Sequence, residues 1–149
     1  MAHRYPVNWE EFYRNARALA WRLNEGQTWN GIVAITRGGL VPAAIVAREL
    51  GIRKVDTISI ESYNENDEQI DPIIIKSCQI EDHGKGWLVV DDLVDTGATA
   101  KIVRDMLPQA HIAAIYAKPY GKDHVDSFMM EVSQDTWIVF PWESDTLRS

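Results

Sequence analysis

Cysteine is almost missing from this chain: Cys78 is the one thiol in 149 residues. An internal disulfide is therefore excluded, and a cysteine-based metal cluster has no ligands. Basic residues are also in deficit, 15 Lys and Arg against 22 Asp and Glu, for a formal charge of −7. A nucleic-acid binder needs a cationic face to neutralise phosphates, so that class is disfavoured. No apolar run approaches the roughly 20 residues of a membrane span, and the opening MAHRYPVNWEE does not read as a signal peptide. What is present, 46% hydrophobic and 25% charged residues, is the balance of an ordinary globular protein. The length predicts one domain, residues 1–149, with a real core, placed in the cytoplasm.

The most informative stretch is Leu88–Ala100, LVVDDLVDTGATA. An apolar run from Trp87 to Val90 stops at two adjacent acids, Asp91 and Asp92. Asp95, Thr96, Gly97, Ala98 and Thr99 follow, then a helical pattern from Ala100 to Leu107. This reads as a buried strand, a short acidic turn and a helix start rich in small and hydroxylated residues. A helix start offers free backbone N–H groups and the positive end of a dipole, where a phosphate can sit. Carboxylates at a strand end can hold a hard cation or a pair of ribose hydroxyls. Together these features suit a sugar phosphate carrying magnesium. With so acidic a chain, the anion must be held by local devices and not by the overall field.

Taken in order, Asn8 and Glu11 form a capping pattern for an amphipathic helix that ends near Gly26, with Arg14, Arg17 and Arg22 on its solvated face. Gly31–Ile35 reads as a buried strand, followed by Thr36, Arg37, Gly38 and Gly39 and by a helix from about Val41 to Leu50. Paired glycines let the backbone approach a ligand, and Arg37 offers a fork of donors for phosphate oxygens; a tight connection with a solvent-facing Arg reads as well. Val55–Ile60 is a further strand. Glu61–Asp71 carries five acids and no Lys or Arg, and reads as a mobile loop. Ile73–Ile80 is an expected edge strand, and His83 a surface histidine. His111–Ala117 is a strand ending at Lys118-Pro119, and Phe128–Val132 and Thr136–Phe140 are two more apolar runs. Short strands alternating with helices predict an α/β domain with a mostly parallel core sheet flanked by helices.

The run VVDDLVDTGAT resembles the phosphoribosyl-pyrophosphate signature of type I phosphoribosyltransferases, and ITRGGL resembles that family's pyrophosphate loop. Lys118, with QDTWIVFPWE about twenty residues later, is similar to the purine-binding part of the bacterial xanthine–guanine group. The likeness runs from about Trp9 to Trp142. It implies the type I phosphoribosyltransferase fold, with a small C-terminal hood from about residues 128–149 and a lid over about 61–71. It implies transfer of a 5-phosphoribosyl group from phosphoribosyl pyrophosphate (PRPP) to guanine or xanthine, hypoxanthine being weaker, with Mg²⁺ as cofactor. The alternatives within the fold are a hypoxanthine-preferring enzyme and a non-catalytic nucleotide-binding regulator.

Carried onto this sequence, the resemblance places pyrophosphate at Arg37, Gly38 and Gly39, and the ribose diol and the metal's water shell at Asp91 and Asp92, with Asp92 the metal residue. The 5′-phosphate falls to Thr96, Gly97, Ala98 and Thr99. Asp95 and Arg37 become the catalytic candidates, Asp95 counting among the PRPP-binding residues as well and lying below the purine. Lys118 would donate to O6 of the base, Trp137 would stack on it, and backbone near Ile138 would read the C2 edge. Core packing for Trp137 and a surface cation for Lys118 are the simpler alternatives. The resemblance further implies a cis Thr36–Arg37 peptide, a homotetramer, no nucleic-acid partner, and membrane contact at most peripheral, at the inner membrane. Ser62 and Tyr63 match the family's lid, but the lid lacks a basic residue before Lys76. Ala98 stands where the family usually has Gly, and the sequence ends soon after Glu143 without the group's common apolar tail.

Overall fold

The computed structural model describes residues 3–61, 64–65, 68–69 and 72–143. Ser62, Tyr63 and most of the expected lid lie outside the described residues.

A short strand, β1 (His3–Pro6), leads to helix α1 (Trp9–Leu23). Asn8 caps that helix, its side chain accepting the Glu11 N–H at 2.8 Å. Only this half of the expected reciprocal pattern forms between side chain and backbone. The Glu11 carboxylate instead accepts the hydroxyls of Tyr5 at 2.7 Å and of the fully buried Tyr116 at 3.1 Å. A carboxylate serving two hydroxyls at the core edge satisfies three polar groups at once. The helix buries Phe12, Ala16, Leu19, Ala20 and Leu23, the stripe that its 3.6-residue period predicts. Its opposite face is less passive than its arginines suggest: Arg17 pairs with Glu49 at 2.6 Å and lies over the Tyr13 and Trp21 rings, and Arg22 donates to the Phe128 carbonyl.

Next come β2 (Gly31–Thr36), α2 (Leu40–Leu50), β3 (Val55–Glu61), a small antiparallel pair β4 (Asn64–Glu65) and β5 (Glu68–Gln69), and β6 (Ile73–Lys76). The chain continues through β7 (Trp87–Val94), α3 (Ala98–Met106), β8 (His111–Ala117), β9 (Ser127–Glu131) and β10 (Thr136–Val139). The main sheet has the order β6-β3-β2-β7-β8-β9, parallel throughout except for the antiparallel edge strand β6. Alternation along the strands assigns its two faces. Ile32, Ala34, Leu88 and Val90 join α1 and α2 in one cluster, and Val33, Ile35 and Val89 pack with Val103 and Leu107 on the α3 side. Central strands covered on both faces need continuous apolar runs, which GIVAI and WLVV supply.

Two expectations change here. β7 does not stop at the acids but runs through Asp91 and Asp92 to Val94, because parallel pairing with β8 continues to Val94↔Ala117. The expected C-terminal hood also divides differently. Ser127–Glu131 extends the main sheet as β9, and β10 pairs in parallel with β1, a strand the sequence reading missed. Phe140 and Trp142 then stack at 4.8 Å, and both rings meet Phe12 edge-on, which fastens this segment to α1. Among the described residues, no helix is long and apolar enough to cross a membrane.

Candidate active site

The parallel strands β2, β7 and β8 are adjacent, and all three finish at the same edge of the sheet. In open α/β sheets this carboxyl-end edge is where ligands bind. Arg37, Asp91–Asp95 and Lys118 all fall there.

Behind β2 the chain turns through Arg37, Gly38 and Gly39 into α2, and the Thr36–Arg37 peptide is cis. A Cβ on Gly39 would run into the backbone carbonyls of Val90 and Ile35, so that position admits no side chain, and one on Gly38 would lie 2.6 Å from both carboxylate oxygens of Asp92. The loop therefore packs directly onto the acidic end of β7, which joins two motifs more than fifty residues apart in sequence.

Asp91 and Asp92 are adjacent along one strand, with the Asp92 N–H donating to the Asp91 carboxylate at 2.8 Å. Dense surrounding protein penalises their charges although both residues keep some exposed surface. Burial first, and then the neighbouring Asp92 charge, push Asp91 well above the usual carboxylate range. Asp92 is raised to about 6, by burial first, with the Glu143 charge adding to it against the opposing hydrogen bond from Asp91. Such a pair calls for a proton or a cation. Its all-oxygen donor set fits a hard divalent ion such as Mg²⁺, which keeps waters and takes one or two protein carboxylates beside phosphate oxygens. Among the described residues, no group of three or more His, Cys, Asp or Glu is placed to hold a metal ion.

After Val94 the backbone turns through Asp95 and Thr96 to Gly97, whose φ of 93° is a left-handed conformation that a side chain resists. Space forbids one as well, since a Cβ there would meet the His124 ring. α3 begins at Ala98, two residues earlier than the periodicity indicates, so Ala98 and Thr99 belong to its first turn. No acidic residue occupies that turn. The positive end of the helix therefore has no carboxylate in its own first turn; the Thr96 hydroxyl accepts the Ala98 N–H at a long 3.4 Å, and Thr99 lies in the same turn.

On the other side, Lys118 is buried at 7% exposure, so it is not the surface cation that the simpler reading allows. Its ammonium pairs with Asp95 at 3.4 Å. Trp137 is 64% exposed, which removes core packing as its role, whereas Ile138 points into the core and lies opposite Tyr5 of β1. Gln134 carried no role in the sequence reading, yet it donates to the Asp95 carboxylate at 2.8 Å. His124 against Gly97 was also missed; neither residue type carries a local signal, and both contacts are long-range. Lys76, the nearest base after the lid, is held by Asp56 and by the Thr57 carbonyl and hydroxyl.

A helix start without acidic residues, a paired acid and a glycine–arginine loop are thus gathered at one sheet edge. The phosphoribosyl transferase domain model matches residues 7–147, and the chain belongs to that family. It is 55% identical over 141 residues to the xanthine-guanine phosphoribosyltransferase of Nitratidesulfovibrio vulgaris strain DP4, covering 95% of this chain and 85% of the relative. Among solved structures, the purine phosphoribosyltransferase of Pyrococcus horikoshii Ot3 superposes with a TM-score of 0.78 at 28% identity, covering 98% of each chain. The Helicobacter pylori xanthine-guanine-hypoxanthine phosphoribosyltransferase gives 0.77 at 27% identity, covering 96% of each. The type I phosphoribosyltransferase fold is therefore that of this chain.

Proposed function

We propose that this chain is a magnesium-dependent purine salvage enzyme that transfers a 5-phosphoribosyl group from PRPP to N9 of guanine or xanthine. The products are GMP or XMP and pyrophosphate, with hypoxanthine the weaker substrate. The observation that carries the purine assignment is the buried Lys118 paired with Asp95, immediately beside the phosphate loop and joined to the Trp137 strand through Gln134. A desolvated ammonium has donors only and selects a carbonyl oxygen, as 6-oxopurines present at C6.

The reaction breaks the bond from C1′ to pyrophosphate and forms one from C1′ to N9, with the purine losing a proton. Charge separates along that path, so the protein must hold anions at fixed positions and needs no nucleophile of its own. Arg37 and the amides of Gly38 and Gly39 would receive the departing pyrophosphate. Asp91 and Asp92 would orient the ribose hydroxyls, and Asp92 would face the metal. When bound, Mg²⁺ supplies Lewis-acid neutralisation of the pyrophosphate. The N–H groups from Thr96 through Gly97 and Ala98 to Thr99, with both Thr hydroxyls, would hold the 5′-phosphate. Asp95 would accept or orient the purine proton near N7, Trp137 would cover the ring, and the Ile138 backbone would read C2.

The whole would work in the cytoplasm as a homotetramer of one-domain subunits, with 61–71 as lid and the β1–β10 pair as hood. The exposed Trp9, Tyr13 and Trp21 on α1, the last two beneath the Arg17 guanidinium, would give such an assembly an aromatic face.

The direct test is pyrophosphate release from PRPP with each purine in turn. Guanine and xanthine are expected to lead, hypoxanthine to follow and adenine to be inert; silence with all three oxopurines would refute the assignment. A second measurement isolates the phosphate loop. Thr96→Val and Thr99→Val each remove a hydrogen bond to a charged group, worth about 1.5–3 kcal/mol. The KM for PRPP is expected to rise accordingly while free-enzyme affinity for guanine stays put. An unchanged donor KM in both variants would remove the 5′-phosphate from this loop.

A further inference from the structure

We propose that Gln134 is a positioning residue that fixes the orientation of the Asp95 carboxylate and couples it to the hood. This inference rests on the reading of the site given above.

Three contacts carry it. The Gln134 Nε2 donates to Asp95 Oδ1 at 2.8 Å and lies 3.4 Å from the Asp95 main-chain carbonyl. Its Oε1 accepts the Tyr120 N–H at 2.9 Å. That last bond decides which way the amide faces. A backbone N–H can only donate, so the oxygen must point at Tyr120 and the NH₂ at Asp95; the flipped amide would oppose two donors on one side and two acceptors on the other. One side chain thus bridges the end of β7, the turn after β8 and the approach to β10.

The bridge has a rigid footing. The Ser133 hydroxyl bonds Asp135 at 2.7 Å and Thr136 at 2.6 Å, and the Thr136 N–H returns to the Ser133 carbonyl at 3.1 Å. Gln134 sits inside this closed turn, which leads straight into Trp137.

The reason Asp95 needs a second partner lies in Lys118. The ammonium holds Asp95 Oδ2 at 3.4 Å, a longer contact than that of the amide. The ammonium has three donors and can serve both groups, but a purine O6 within its reach draws it away from a contact that is already long. Asp95 is 54% exposed in its side chain and would then be free to rotate. The amide on Oδ1 remains through the reaction, and it keeps the carboxylate aimed where the purine proton is. Gln134 touches no substrate; it acts through Asp95.

Two substitutions separate this role from a merely structural one. Gln134→Glu keeps an oxygen for the Tyr120 N–H but offers Asp95 no donor and adds a like charge. Gln134→Met removes both bonds. If Gln134 positions Asp95, both variants lose on the order of 10- to 100-fold in kcat, the scale of a misplaced reacting group. The KM for PRPP stays within about twofold, because the phosphate loop is not part of the bridge. If Gln134 only braces the Tyr120 turn, Gln134→Glu rescues what Gln134→Met loses, and the proposal is overturned. Wild-type kcat in both variants overturns it equally.

A further measurement does not depend on turnover. The Gln134 side-chain amide protons in an ¹⁵N-labelled wild-type sample are expected to shift on Asp95→Asn, and no shift would refute the contact. Should the wild type be inert with every purine, the functional reading fails on its own, and the amide resonance still decides the Gln134–Asp95 bond.

Discussion

Lys118→Met is expected to lower kcat/KM for guanine about 100-fold and to erode the preference for guanine over adenine. The ammonium is buried at the end of β8 with 8% of its side chain exposed, so water cannot replace it at the purine O6. Losing a hydrogen bond from a charged donor costs about 1.5–3 kcal/mol, which is roughly 10- to 150-fold in rate. The upper part of that range applies here because Asp95 also loses its ion-pair partner at 3.4 Å. Adenine carries an amino donor at C6, and in the wild type it would face an ammonium with no acceptor. Sites built around such a contact reject the mismatched base strongly. Methionine neither attracts O6 nor repels the amino group, so the guanine-to-adenine ratio is expected to fall even though both rates are low. Stacking on Trp137 accepts any purine and is not expected to change. The measurement is kcat/KM for guanine, xanthine, hypoxanthine and adenine in wild type and variant. Retained activity with oxopurines in the variant would show that Lys118 does not read the base.

The parts of this site that sequence reveals are those whose chemistry is local. Gly38 and Gly39 between an apolar run and a helix, and Thr96 to Thr99 at a helix start, each make sense within a few residues, and the structure brings them to one sheet edge. The boundary of β7 was misplaced because acids usually end a strand. Here the pairing with β8 carries the backbone past Asp91 and Asp92, and the partner strand is invisible in a local window. β1 escaped notice for the same reason: four residues, His3–Pro6, with no apolar alternation become a strand only by lying beside β10 at the other end of the chain. Glu11 looked like a helix-cap residue, and its actual partners are Tyr5 and Tyr116, the latter 105 positions away. Gln134 is the sharpest case. A glutamine in a polar turn carries no signal, and its meaning comes from an aspartate 39 residues earlier.

Asp92→Asn is expected to abolish most activity and at the same time make the protein more stable above neutral pH. The folded state raises Asp92 from the ordinary 3.8 to about 6, through burial and the Glu143 charge. A carboxyl group with a raised folded value favours folding when protonated, so its contribution is fully present below about pH 4 and is lost as pH climbs through about 6. Above that pH the wild type carries a charge its surroundings resist, and Asn carries none. A shift of this size would correspond to about 3 kcal/mol, and discounting for the exposed part of the residue leaves roughly 1–2 kcal/mol. For a chain of this length that amounts to about 3–6 °C in Tm at pH 8, with the two proteins converging near pH 4. Asparagine has nearly the same shape, so the close approach of Gly38 to this side chain is kept. Its amide can also donate to Asp91, which relieves the second acid of the pair. The lost charge is the one proposed to face the metal, and kcat/KM is expected to fall by about 100-fold or more. PRPP with Mg²⁺ should raise the wild-type Tm more than that of the variant, because the ligand supplies the positive charge that the bare pair lacks. Thermal unfolding from pH 4 to 8, with and without PRPP and Mg²⁺, checks all of this together. A variant no more stable than wild type at pH 8 would mean that the acid pair carries no strain in the free protein.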